Sequence, residues 1–527
     1  VQGRSEDQRQ LSDVQGWVGH LLPPGGVFAF LAEHRGELFP DELFADLFPS
    51  GRGRPSVPAD VVATVIVLQA LNGLSDREAA EAVTFDLRWK AAAGLTIQAN
   101  SFHPTTLTYW RRRLAASDRP NRIFDVVREV VAQTGALRGK SRRVLDSTVL
   151  DDAVATQDTV TQLIAAIRRV ARIVPGAPAV IVEVCHAHDY DDPGKPRIAW
   201  DDEQARAQLV DGLVGDARRL LAKLADGEDD RDPAQTEALA LLALIAGQDV
   251  EWIPDPDLDA ETPAGGRWAI ARRVAPDRVI SVIDPDSRHA HKTTSRRQDG
   301  FKAHVVVEPD TGLVTACAVT RAAGEGSGDA AAGQVLLATD TTIADGESVQ
   351  VLGDSAYGTG PMLAALAAAG HQALVKPWPV TPAVPGGFTV DDFTVDHTAR
   401  TATCPAGVTR RINPDGQVNF GIACRGCPFR DRCTRSRKGK SLHVREHEAL
   451  RRAHRRNATA PTFLADYRQY RPAVERSLAW LTRGNRKLRY RGTTKNDAWF
   501  HLRAGAINLR RLLTLGLHRD NSTWKLA

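Results

Sequence analysis

Two short aliphatic runs, each leading into an aspartate, constrain this chain more than any other feature. Val144-Leu145 runs into Asp146 within SRRVLDSTVLDD, and Val349 to Leu352 runs into Asp354 within VQVLGDSAYGTG. Such runs read as buried strands that deliver a carboxylate at their ends. A third acid, Glu475, lies on a helical pattern inside the basic stretch YRPAVERSLAWLTRGNRKLRYRG. Three carboxylates converging amid Arg and Lys are the hard-oxygen set that Mg²⁺ needs beside a phosphate backbone. For any single Asp the plainer reading is a turn or cap. Asp151 and Asp152, placed after the first strand, rival Asp146.

The segments between these residues alternate helix and strand. Pro58 suits the first turn of a helix whose apolar run is Val61, Val62, Val65, Ile66, Leu68 and Leu71, ended by Asn72-Gly73. Ser75 and Glu78 form a capping box for the next helix. Another begins near Thr105 and carries Arg111, Arg112 and Arg113. Short helices with tight turns and a terminal Arg cluster read as a helix-turn-helix, or as a plain helical bundle with a solvated basic end. A connecting helix is expected at about 122–137, and residues 156–280 are mostly helical. FKAHVVVEP, a turn at Asp310-Thr311-Gly312 and LVTACAVTR form a hairpin. Helices at 328–339 and 361–369 and a strand at ALVKPW complete the core.

Together the motifs GRPSVPADVVATVIVLQALNGLSDREAAEAV, LDST, DPDSRHAHKTTSRRQDGFKAHVVVEPDTGLVTACAVT and LGDSAYGTG, followed by a Cys cluster and the Glu475 region, resemble a bacterial insertion-sequence transposase of the DDE class. The resemblance covers roughly residues 50–515. It implies an α/β fold. A ribonuclease-H-like mixed-sheet catalytic core with helical and Cys-rich insertions would follow an all-α helix-turn-helix DNA-binding domain. The expected division is a lead-in at 1–49, a helical DNA-binding domain at 50–140, and a core made of 141–155, 281–382 and 461–520. A helical insertion (156–280) and a four-cysteine insertion (383–460) interrupt the core.

The resemblance implies a DNA transposase that binds terminal inverted repeats, cuts at the element ends and transfers strands to target DNA. Asp146, Asp354 and Glu475 would hold two Mg²⁺ or Mn²⁺ ions per site. Double-stranded DNA, at element ends and target, is the expected partner, with a homodimer or higher oligomer on DNA. Two other readings stay open: a catalytically silent, transposase-derived DNA-binding protein, and a host nuclease on the same core. The Glu475 neighbourhood resembles the family's Tyr, Arg, Glu, Lys signature. Arg471 stands four residues before Glu475, the aromatic is Tyr467 or Tyr470, and Arg483 trails one place late. Arg471, Glu475 and Leu478 can share one helix face.

Further candidates come from spacing and charge. Lys302 and His304 alternate on one strand and share a face, where they would hold phosphate beside Asp146 or simply face solvent. Lys292, Arg296 and Arg297 lie in a polar loop that contacts DNA or is merely solvated. Cys404, Cys424, Cys427 and Cys433, spaced C-x19-C-x2-C-x5-C, suit structural Zn²⁺, with His443 and His447 as reserves. The alternative is reduced thiols in a small packed ribbon. Cys185 and Cys317 read as core or loop residues, and Trp378 as a core residue rather than a stacking platform. Arg430, Arg435, Arg486, Arg489 and Arg491 would hold cleaved ends or target DNA, and Arg425, Arg432, Arg437, Lys438 and Lys440 surround the Cys knuckle.

A net charge of +4 is too modest to indicate nucleic acid by itself, but Arg and Lys crowd 425–456 and 483–511. No apolar run approaches bilayer length and no signal segment opens the chain. The expectation is a cytoplasmic, nucleoid-associated protein with no membrane contact. Six cysteines in 527 residues argue against a disulfide framework.

Overall fold

In the computed structural model, which describes residues 1–5, 13–50, 52–225, 231–255, 265–273, 275–291 and 297–527, a six-stranded mixed sheet carries both aspartates. Lys292, Arg296 and part of the 227–233 loop lie outside the described residues. The strands are β1 (Arg142–Asp151), β2 (Arg288–His291), β3 (Arg297–Val307), β4 (Val314–Arg321), β5 (Gln350–Gly353) and β6 (Gln372–Val375). Their order is β2-β3-β1-β5-β6, with β4 also paired to β3. β3 runs antiparallel to β1 and β4, while β1, β5 and β6 run parallel. The β3–β4 turn forms where expected. Gly312 adopts φ +71°, and the Glu308 carboxylate accepts from the backbone N–H groups of Asp310 and Thr311.

Side-chain alternation gives the sheet two apolar faces. Val144, Val305, Val307 and Leu352 pack under the helix Pro472–Thr482 (Val474, Leu478, Leu481) and the long helix Thr493–Thr514. Leu145, Val306 and Val351 pack under the helices Asp329–Ala338 and Gly360–Ala368.

Several expectations change here. Asp146 does not end its strand: β1 continues to Asp151, because residues 144–151 stay paired to β3. Residues 1–49 are not a loose lead-in. The helix Val27–Leu38 and the turn Asp41–Leu47 bury Phe30, Leu31, Phe44 and Leu47 against Val62, Ile66 and Trp110. Trp378 is half exposed rather than core. Cys185 and Cys317 are buried, as expected.

The helix Ala59–Asn72 ends at Gly73 (φ +68°), a left-handed position suited to glycine. The Ser75–Glu78 capping box then opens the helix Asp76–Phe85, whose axis turns by 113° from the first. Helices Thr105–Ala115 and Arg122–Thr134 follow. Ala59–Asn72 and Arg122–Thr134 pack on Thr493–Thr514, which thus belongs to two cores, one with the sheet and one with the N-terminal helices. The described residues of 156–280 form four helices and an antiparallel strand pair around their own cluster, centred on Leu163, Ile167, Leu213 and Leu242.

Candidate active site and nucleic-acid interface

The parallel register pairs Val144 with Leu352, so two residues further along Asp146 and Asp354 emerge side by side from β1 and β5. Asp354 caps the turn Ser355–Tyr357, accepting from the Ala356 N–H at 2.8 Å. Burial raises the Asp146 pKa; Arg471 opposes the rise and the Asp354 charge adds to it. Arg471 is buried, and its Nη2 stands 3.0 Å from Asp146 Oδ2.

Pro472 breaks the expected continuous helix. Arg471 is the junction between Pro461–Tyr470 and Pro472–Thr482, so it does not share a regular helix with Glu475. Even so, its Nη1 lies 3.9 Å from Glu475 Oε1. Between the two tyrosines the structure is decisive. The Tyr467 hydroxyl feels Arg471, Asp354 and Asp146, while Tyr470 stacks under Arg142 at 4.1 Å.

Two residues outside the sequence reading lie near the aspartates, one beneath the strand ends and one behind the sheet. The Tyr357 ring is wedged against Gly353 and Gly333, where an added Cβ would stand 2.9 Å from ring carbons at either position. Burial raises its hydroxyl pKa, and Asp329, Asp146 and Asp354 add to the rise. Asp329 opens the helix behind the sheet. Its Oδ1 takes Lys302 at 3.2 Å and lies 3.7 Å from His304 Nδ1. The SAYG turn after Asp354 was the available signal for Tyr357; nothing marked Asp329.

Lys302 and His304 require a correction. The antiparallel register sets Asp146 against Val305 and Ser147 against His304, so the Lys302–His304 face is the one opposite Asp146. His304 is buried, bonds Thr320 Oγ1 at 3.0 Å, and has its pKa pushed down to about 4 by burial.

The metal expectations also change. Among the described residues no group of three or more His, Cys, Asp or Glu side chains is arranged to hold a metal ion. In the acidic set the reason is local: Arg471 lies against Asp146, and the Glu475 side chain is 67% exposed. Asp146 and Asp354 fit a hard divalent cation in donor chemistry and adjacency, whereas Glu475 does not yet join them. The four cysteines line one small cavity with Phe388, Phe393, Phe420 and Phe429. Lys440 N–H donates to Cys424 Sγ at 3.4 Å. Burial raises the Cys433 thiol pKa, yet the four do not form a metal-ready set. His443 and His447 line a different cleft.

The arginines divide by engagement. Arg111 is held by Asp76 and stacks over Tyr490 at 5.4 Å, while Arg112 and Arg113 are exposed and lie over Tyr109 and Phe48. Arg483, Arg486, Arg489 and Arg491 are exposed, and Arg489 donates to the Gly73 carbonyl. Arg430 and Arg435 lie beside the cysteines, and Arg430 donates to Ser436 O at 3.3 Å.

Residues 404–513 match the family model described as a transposase DDE domain, and residues 28–113 match one described as a transposase domain (DUF772). The first match holds the four cysteines and Glu475; Asp146 and Asp354 fall outside both. No curated protein and no solved structure matches the chain.

Proposed function

We propose that this insertion-sequence DDE transposase, so identified by its two family matches, binds the terminal inverted repeats of a mobile element, cuts at its ends and joins them to target DNA. The observation that carries the reading is the emergence of Asp146 and Asp354 from adjacent parallel strands, with Arg471 bonded to Asp146 and Glu475 one turn beyond. The sheet order, an antiparallel hairpin on one side of β1 and two parallel strands on the other, supports a ribonuclease-H-like core.

Asp146 and Asp354 would hold a divalent cation, with Glu475 completing the set as its helix closes on DNA. Such an ion supplies a Lewis acid that activates water or a 3′-hydroxyl and stabilises the leaving oxygen. The remaining roles belong to the chain itself. Asp146 and Asp354 are drawn together by the sheet, and their mutual repulsion creates the demand for a cation. Arg471 neutralises Asp146 in the free protein and is the nearest guanidinium for a DNA phosphate. The hydroxyls of Tyr467 and of the buried Tyr357 both lie within electrostatic reach of the two aspartates.

In the DNA-binding region, the Ala59–Asn72 and Asp76–Phe85 pair has the three-residue turn and 113° bend of a helix-turn-helix. Its second helix carries Asp76, Glu78 and Glu81, so the basic helix Thr105–Ala115 is the better reader. Zinc, around which the four cysteines would first have to close, nucleoid localisation and assembly on DNA complete the proposal.

The test is a supercoiled donor plasmid carrying the element, incubated with Mg²⁺ and wild type or Glu475→Gln. Wild type should cut and join while the variant binds ends without cutting. Specific binding without cutting by wild type would point to the silent descendant. Cutting independent of the terminal repeats would point to the host nuclease.

A further inference from the structure

A cavity of about 240 Å³ opens between the helix Thr105–Ala115 and the helix Thr493–Thr514, on the seam between the two family-matched regions. Its wall is aromatic. Tyr490 and the buried Trp499 meet edge to face with ring centroids 5.9 Å apart. Among the described residues neither the Tyr490 hydroxyl nor the Trp499 indole N–H has a hydrogen-bond partner, although both rings line the cavity. Both groups therefore stand open to the cavity rather than sealed in the core.

The charge on the wall is lopsided. Asp76 is its one carboxylate, and it is already used: Oδ1 accepts from Gln69 at 2.7 Å, and Oδ2 accepts from Thr108 at 3.2 Å and from Arg111. Arg112 and Lys495 are exposed on the lining, and among the described residues neither has a carboxylate partner. Beside the Tyr490 face that Arg111 covers, the cavity therefore offers aromatic surface, N–H and O–H donors without partners, and two cations without carboxylates. Its complement is flat, rich in acceptors and anionic.

We infer that this cavity binds a single nucleotide unit, with the phosphate on Arg112 and Lys495 and the base against Tyr490 and Trp499. Aromatic stacking of this kind tolerates any base, and the unpaired donors favour carbonyl-bearing edges. The volume suits one base with part of its sugar and excludes duplex. The source is an unpaired nucleotide of a DNA end or a free mononucleotide. The inference rests on the reading of the chain as a DNA transposase, and it adds a recognition site apart from the carboxylates.

The experiment uses the full chain, wild type and the exposed-residue variants Arg112→Gln and Lys495→Gln, each first checked for an unchanged melting temperature. The probes are thymidine 5′-monophosphate, inorganic phosphate, a blunt generic duplex, and the same duplex with one unpaired nucleotide. Wild type should bind the mononucleotide about 10-fold more tightly than inorganic phosphate, and the unpaired-end duplex about 10-fold more tightly than the blunt one. Both gains should shrink several-fold in the variants. Mononucleotide binding without a preference for the unpaired end would identify a free nucleotide as the ligand. Equal affinity for mononucleotide and inorganic phosphate would overturn the inference. If the blunt duplex binds while the mononucleotide does not and the unpaired end adds nothing, the cavity assignment fails and the transposase reading stands. If no DNA binds, both fail.

Discussion

Replacing Arg503 by Met should destabilise the protein by about 3–5 kcal/mol, although Arg503 touches no carboxylate among the described residues. Its guanidinium is buried on the helix Thr493–Thr514. It donates to Leu481 O at 2.5 Å, Trp480 O at 2.8 Å and Arg483 O at 2.7 Å, all at the end of the helix that carries Glu475. It also donates to Ala70 O and, at 3.4 Å, to Leu71 O, at the end of Ala59–Asn72. One cation thus caps two helix C-termini, whose partial negative charges stand in for a counter-ion. Burial, with Arg510 and Arg489 nearby, pushes its pKa down to about 10, a displacement worth about 3 kcal/mol against the charge. Five charge-assisted hydrogen bonds at about 1.5–3 kcal/mol each outweigh that. Methionine would relieve the burial cost but leave the carbonyls unpaired, except where water enters beside Leu71, Trp480 and Arg510. Urea unfolding measures the loss, and Arg503→Lys, with fewer donors, should fall between. A loss under about 1 kcal/mol for Arg503→Met would show that the double cap is not what holds this seam.

Three further outcomes follow from the site. Gly333→Ala would set a Cβ 2.7 Å from Leu145 Cδ2 and 2.9 Å from Tyr357 Cε1, so it should cost about 1–3 kcal/mol in urea unfolding and lower strand cleavage. Asp146 has a raised folded pKa, so the protonated form favours the fold. In chelator, stability should fall as pH rises from the ordinary aspartate range through that raised value, and Asp146→Asn should flatten this limb of the unfolding profile. Protein purified without chelator should carry one zinc per chain by elemental analysis, and Cys427→Ser should remove it while leaving cleavage largely intact; a metal-free wild type would leave the cysteines as packed thiols.

What could be read from sequence was local. The capping box at Ser75, the left-handed Gly73 and the β3–β4 turn depend on neighbours a few residues away, and they formed as expected. Asp354 was legible because its strand is short and ends on a turn. The position of Asp146 within its strand was not, since β1 is prolonged by pairing with residues about 160 further along. Alternation told correctly that Lys302 and His304 share a face. Which face depends on the register of Val305 against Asp146, which no local pattern carries. The choice of Tyr467 over Tyr470 depends on which face of Pro461–Tyr470 meets the aspartates, which no local pattern carries. The dense aromatic and aliphatic residues at 27–48 likewise marked core rather than lead-in.

The same helix explains why recognition and chemistry need not be separate events in this molecule. Thr493–Thr514 contributes Trp499, Leu509 and Leu512 to the N-terminal core and Phe500, Ala504 and Ile507 to the sheet. Through Arg503 it also grips the end of the helix that bears Glu475. Under the proposed function, a ligand that shifts the N-terminal helices would act through this shared packing on the C-terminal end of the helix that bears Glu475, because packed interiors tend to shift as units. Glu475 is the exposed carboxylate of the three, and Arg471, at the helix start, is bonded to Asp146. A small rotation of this helix is the motion that would bring Glu475 toward the aspartates and release the guanidinium from Asp146. Under the proposed function, docking of a DNA end on the N-terminal region and assembly of the carboxylate set would be linked through Arg503, Trp499 and Arg471.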